Sequence, residues 1–194
     1  MIRNAVLACC IGAAGCASSP PENFYTLSAG GGPAPAGARS ALVVAVDPVA
    51  LVELVDRPQM VVRVAANRLN ILEHSRWAEP LRAGIARVVA ENLVHLLGTP
   101  NVTAYPREPR GEVDYRVVLD VTQFDAIAGE GVLIAASWTL RPEPAGTLRS
   151  GRTIAREAVS AAGVDALVAA DSRALETISR DIAQAIAGNL PPPR

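Results

Sequence analysis

Lysine is absent from this chain: all 18 of its basic residues are arginine, in an Ala- and Arg-rich sequence where that bias reflects genome composition rather than guanidinium chemistry. Aromatic residues make up only 4%, and the formal net charge is -1, so the basic footprint of a nucleic-acid binder and the acidic tail of a solvating segment are both missing. Nucleic acid is excluded as a partner on that ground. The two histidines, His74 and His95, have no metal-spaced partner and no cysteine to join. No Gly-x-Ser-x-Gly, His-Glu-x-x-His or phosphate-loop pattern occurs. Asp114, Asp120 and Asp125 fall at strand-like spacing, which suits a solvated strand face better than an acid-base pair. The expectation is a protein without metal, cofactor or catalytic constellation, and therefore not an enzyme.

What is present begins with the cysteines. Cys9, Cys10 and Cys16 all lie in the first sixteen residues. Arg3, an apolar run over residues 5–14 and the small residues before Cys16 have the order of a secretory signal peptide, and the run is well short of the roughly 20 apolar residues that span a bilayer. Ala13-Ala14-Gly15-Cys16 resembles a bacterial lipobox, with Ala13 where leucine is usual. On this reading residues 1–15 are removed and Cys16 becomes the acylated first residue. A plain signal peptide cleaved nearby is the competing reading, and it leaves Cys16 as a stray thiol. Lipidation is favoured because the remaining chain then holds no cysteine, as suits an oxidising compartment. With Ala17 rather than aspartate next, the usual sorting rule sends a lipoprotein to the periplasmic face of the outer membrane.

Residues 16–40 read as the lipidated N-terminus and a Gly/Pro/Ala-rich tether. Its 24 residues from Ala17 to Ser40 span about 25 to 30 Å as a coil and at most roughly 80 Å fully stretched. Within it "NFYTL" (residues 23–27) is either a short strand or plug that docks on the domain, or an apolar patch in the linker.

Residues 41–190 are long enough for a single domain with a real core, and 191–194 are a tail. Apolar runs predict a strand over 41–51 interrupted at Asp47-Pro48, a second over 59–65 and a third over 68–72. A helix over 79–97 places Leu81, Ile85, Val88, Val89, Leu93, Leu96 and Leu97 on one stripe, with Pro80 at its start and Gly98 past its end. A short strand over 101–105, a long hairpin (113–126 and 131–140) and a strand over 151–160 follow. A second helix has Asp165 as N-cap, Gly188 at its end and a stripe of Leu167, Ala174, Leu175, Ile178, Ile182 and Ile186. Hairpins and two helices without β-α alternation predict an α+β fold: a mainly antiparallel sheet of about five to seven strands with both amphipathic helices on one face.

The most informative stretch is residues 55–93, where Asp56-Arg57-Pro58-Gln59 is followed by Arg76-Trp77-Ala78-Glu79-Pro80-Leu81. Taken singly, these residues are a helix staple and solvated arginines. Together with the lipobox, "FYTL", Asp114-Tyr115-Arg116-Val117 and Trp138, the chain resembles the ABC-type transport auxiliary lipoprotein family, the PqiC-like subunit of MCE-type lipid transport systems, over residues 24–186. The resemblance implies a non-enzymatic outer-membrane lipoprotein working with an MCE-domain protein and, through it, an inner-membrane permease and ATPase. Asp56, Arg57, Pro58, Gln59, Arg76 and Trp77 are the expected partner surface, facing the MCE-domain subunit or a second copy of the chain, because Arg/Trp clusters are enriched in interface hot spots. The alternative is a periplasmic lipoprotein that itself binds a lipid or small molecule, which requires an apolar cavity under the helices.

Overall fold

The computed structural model describes residues 21–31 and 41–188. Cys16, the signal segment, residues 32–40 and the 191–194 tail lie outside the described residues. In chain order the elements are β1 (Asn23–Tyr25), β2 (Val44–Val46), β3 (Ala50–Leu51), β4 (Gln59–Ala65), β5 (Arg68–Trp77), α1 (Leu81–Leu97), β6 (Val102–Ala104), β7 (Tyr115–Ile127), β8 (Gly131–Pro142), β9 (Arg149–Ala158) and α2 (Val164–Ala187).

The fold is α+β; among the described residues the sheet has nine strands, more than expected, and it is mixed, with parallel pairs beside the antiparallel ladders. The antiparallel ladders are the long ones, β4–β5, β7–β8 and β8–β9. The parallel ones are short. β2, β3 and β4 line up along one edge of β7, pairing with its start, middle and end, while β8 holds the other edge. Parallel pairing escaped the sequence pattern because two- and three-residue strands carry no periodicity to read.

β7 alternates as its sequence requires. Tyr115, Val117, Leu119 and Val121 are buried, Asp120 and Thr122 are exposed, and Phe124 and Ala126 resume the core face after a register shift between Val121 and Gln123. α2 packs on β7, β8 and β9, α1 packs on β2 and β6, and the helices pack on each other. Where they meet, Asn92 Nδ2 donates to Ser179 Oγ at 3.2 Å, both side chains being buried. In α1 the stripe is buried from Leu81 to Leu93, but Leu96 is exposed. Gly98 ends α1 in the left-handed conformation, φ 63°, that glycine adopts without strain. The cap of α2 lies two residues earlier than expected. Gly163 occupies the cap position and Asp165 lies in the first turn, where its charge suits the helix dipole.

Two corrections matter for function. β5 extends to Trp77 instead of stopping near Leu72, because Ser75, Arg76 and Trp77 pair with Asn23, Phe24 and Tyr25 of β1. Residues 21–31, placed in the tether by composition, are therefore part of the fold. Leu27 is buried, Ser28 N–H donates to Ser172 Oγ of α2, and Gly30 N–H donates to Asn92 Oδ1 of α1 at 2.9 Å. The N-terminal segment thus crosses from the β5 edge onto the helix pair.

Candidate partner-binding site

The two motif halves meet through β-sheet register. The β4–β5 ladder pairs Gln59 with Arg76, then shifts so that Met60 opposes Leu72, leaving Glu73, His74 and Ser75 as a bulge on β5. Beyond the bulge Trp77 N–H donates to Pro58 O at 2.8 Å. This places Asp56, Arg57 and Pro58 beside Trp77, Glu79 and Pro80 around a surface pocket of about 280 Å³.

Each residue has a distinct environment. Trp77 is only 8% exposed and makes an edge-to-face contact with Phe124, centroids 6.5 Å apart at 79°, so its indole is chiefly core and shows the pocket only a small part of itself. Asp56 accepts a two-pronged ion pair from Arg82 of α1, which raises the Arg82 pKa. Gln59 donates to Glu73 at 3.3 Å, and Arg76 pairs with Glu22 at 3.2 Å. Arg57 and Pro58 are exposed, and the Arg57 guanidinium has no partner among the described residues. Asp56, Arg57, Pro58 and Trp77 therefore share one pocket, while Gln59 and Arg76 are not among its lining residues.

The other residues that carried the resemblance hold the fold. Asp114 Oδ2 accepts from Val43 N–H at 2.8 Å, Arg116 bridges Asp47 and Glu143, and Trp138 Nε1 donates to Thr153, which donates to Asp181 at 2.6 Å. Of the three carboxylates weighed for acid-base work, Asp120 is exposed and Asp125 is paired with Arg63 at 2.8 Å, and none of the three forms a pair with another.

Two residues were missed by sequence reasoning. Arg87 is a hub whose guanidinium reaches Glu79, Glu91, Thr26 Oγ1 and the Leu27 carbonyl, so it straps the N-terminal segment to α1. Only its i+4 relation to Glu91 was visible in the sequence. The other is Asp171, fully buried with no hydrogen bond to either oxygen among the described residues, in a small void bounded by Val55, Met60, Trp77, Leu81 and Phe124, with Trp77 shared between this void and the pocket. Burial pushes its carboxyl pKa well above the usual range, which favours the neutral form. Its place on the apolar stripe, four residues after Leu167 and four before Leu175, was the available signal.

The sequence model of the ABC-type transport auxiliary lipoprotein component family matches residues 25–183. The chain belongs to that family. No functionally curated protein matches it. Among solved structures, this auxiliary lipoprotein superposes on the crystal structure of an uncharacterized protein with a TM-score of 0.71 at 20% identity, covering 86% of this chain and 99% of that one. It superposes on a Xanthomonas campestris protein of a family of unassigned function with a TM-score of 0.66 at 19% identity, covering 86% and 96%. These two likenesses speak for the fold alone. Family membership makes the chain a transport auxiliary of lipoprotein type, membrane-anchored in the cell envelope, and not a member of a known enzyme family.

Proposed function

We propose that this auxiliary lipoprotein is a non-enzymatic docking subunit of an MCE-type lipid transport system, held at the periplasmic face of the outer membrane by acyl chains on Cys16. The observation that carries the reading is Arg57: an exposed guanidinium without a side-chain partner among the described residues, at the rim of a pocket. Its frame is anchored on one side by buried Trp77 and on the other by the Asp56–Arg82 pair. An exposed guanidinium without a partner keeps its donors free, and a carboxylate of the MCE-domain subunit would receive two parallel N–H groups from it. Through that subunit the lipoprotein couples to the inner-membrane permease and ATPase, and it needs no cofactor of its own.

The docking of β1 shortens the leash. Only residues 17–22 separate Cys16 from β1, which holds that edge of the domain within about 25 Å of the bilayer rather than the roughly 80 Å of an unbroken tether. Arg57→Ala tests the reading. The expected result is an unchanged melting temperature with loss of co-purification with the MCE-domain protein or of self-association. A variant that keeps stability and both associations places the contact elsewhere.

One observation favours direct lipid binding as a second reading. An apolar cleft of about 340 Å³, lined by Val62, Leu72, Val159, Val164 and Leu167, opens between the β4–β5 hairpin and the start of α2. It lies at the small end of the range of ligand sites. Co-purified phospholipid, displaced by Leu167→Trp, would favour it.

A further inference from the structure

The edge of the sheet opposite the N-terminal segment carries an unneutralised row of arginines. Among the described residues β9 pairs only with β8, so its other side is open there. Val159 N–H donates to Glu130 O in continuation of the β8–β9 register, and the antiparallel alternation then turns the N–H and C=O groups of Ser150, Arg152, Ile154, Arg156 and Ala158 away from β8. Arg173 of α2 covers one end by donating to Ala158 O at 3.1 Å. The stretch from Ser150 to Arg156 stays uncovered. Its outward side chains are exposed, while Thr153 and Ala155 face the core. Arg152 and Arg156, with Arg149 and Arg141 at the adjoining strand ends, have no acidic partner among the described residues. Ile154 (47% exposed) lies between the first two, and Leu148 (59%) just before the strand.

The geometry points to β9 as a docking edge for an extended acidic segment of another protein, added as a further strand with its carboxylates opposite Arg152 and Arg156 and its apolar residue against Ile154. Three arguments choose this occupant. A lipid surface offers anions for the arginines but nothing to satisfy the row of edge N–H and C=O groups, which a strand does. On the reading that the lipid anchor precedes β1, β9 also lies five ladder steps from the anchored edge, about 24 Å across the sheet. A second copy is disfavoured by charge, because pairing β9 with itself in any antiparallel register crowds four guanidinium groups onto one face with no carboxylate between them. Arginines that merely guarded the edge against aggregation would not need a large apolar side chain between them.

The test uses the full chain carrying Cys16→Ser and a labelled, end-capped peptide of about ten residues alternating Glu and Val. The expected result is saturable binding by fluorescence anisotropy, with amide exchange slowed at Arg152, Ile154 and Arg156. Arg152→Glu/Arg156→Glu should weaken it by at least about tenfold. Ile154→Pro should abolish it while the melting temperature holds, since the lost N–H faces the open edge. If the Glu pair does not fold, Arg152→Ala/Arg156→Ala carries the same expectation with a smaller loss. No saturable binding, equal binding of a peptide with its Glu and Val in separate blocks or of a Lys/Val peptide, or unchanged binding by Ile154→Pro overturns the proposal. So does binding to phosphatidylglycerol vesicles that needs these arginines and is not competed by the peptide, and so does a dimer dissolved by Ile154→Pro. None of these outcomes depends on Arg57.

Discussion

Asp171→Asn isolates the energetic consequence of an acid placed in the core. The carboxyl has no hydrogen-bond partner among the described residues, lies under an apolar roof of Val55, Met60, Trp77, Leu81 and Phe124, and has its pKa raised well above the usual range by burial. Below about pH 3.9 the side chain is protonated in both folded and unfolded chains, and it makes stability no more pH-dependent. Above that value the unfolded chain releases the proton and the folded chain does not, so the folded state binds more protons and loses relative stability as pH rises. The slope is about 1.4 kcal/mol per pH unit until the raised folded pKa is reached, after which it levels off. Asparagine has nearly the same shape and cannot titrate. The difference in unfolding free energy between wild type and Asp171→Asn, measured by urea denaturation at a series of pH values from 3.5 to neutrality, should therefore be small at the acid end and grow in favour of the variant. All other carboxylates cancel in that difference. Asp171→Val should be more stable than wild type at neutral pH by at least about 1 to 3 kcal/mol, the cost of burying a neutral polar group without a partner. A difference that is flat with pH, or that grows in favour of wild type, refutes the buried neutral acid.

Trp77→Ala should lower stability by about 3 to 5 kcal/mol, given an indole that is 8% exposed against Phe124, and Trp77→Phe should recover much of it, as thermal unfolding would show. Arg87→Ala should release the N-terminal segment at a cost of about 1 to 3 kcal/mol, seen as faster amide exchange and protease cleavage over residues 21–31 while the sheet stays protected. Gly151→Ala should destabilise by about 1 to 3 kcal/mol, because its methyl would enter the ring of Trp138. Mass spectrometry of the N-terminal peptide should find Cys16 acylated, and Cys16→Ser should move the protein to the soluble periplasmic fraction.

The elements with strong periodicity were legible in the sequence. β7 announces itself by alternation, β8 by an apolar run across the turn from it, α1 and α2 by apolar stripes, and Gly98 by its place past the last periodic residue, because these features depend on side chains only a few positions apart. Order and spacing of short motifs were likewise enough to point to the auxiliary lipoprotein family. Long-range pairing decided the rest. No local signal says that Asn23, Phe24 and Tyr25 should lie parallel to Ser75, Arg76 and Trp77, that three short strands should share one edge of β7, or that Arg87 should reach back to Leu27. The same holds for the site. Sequence marked Arg57 and Trp77 together, but the register shift after Gln59, with its bulge on β5, is what turns the indole into the core, while Arg57 stands exposed in the loop before β4; in a β-ladder register, not the identity of the residue, chooses the face.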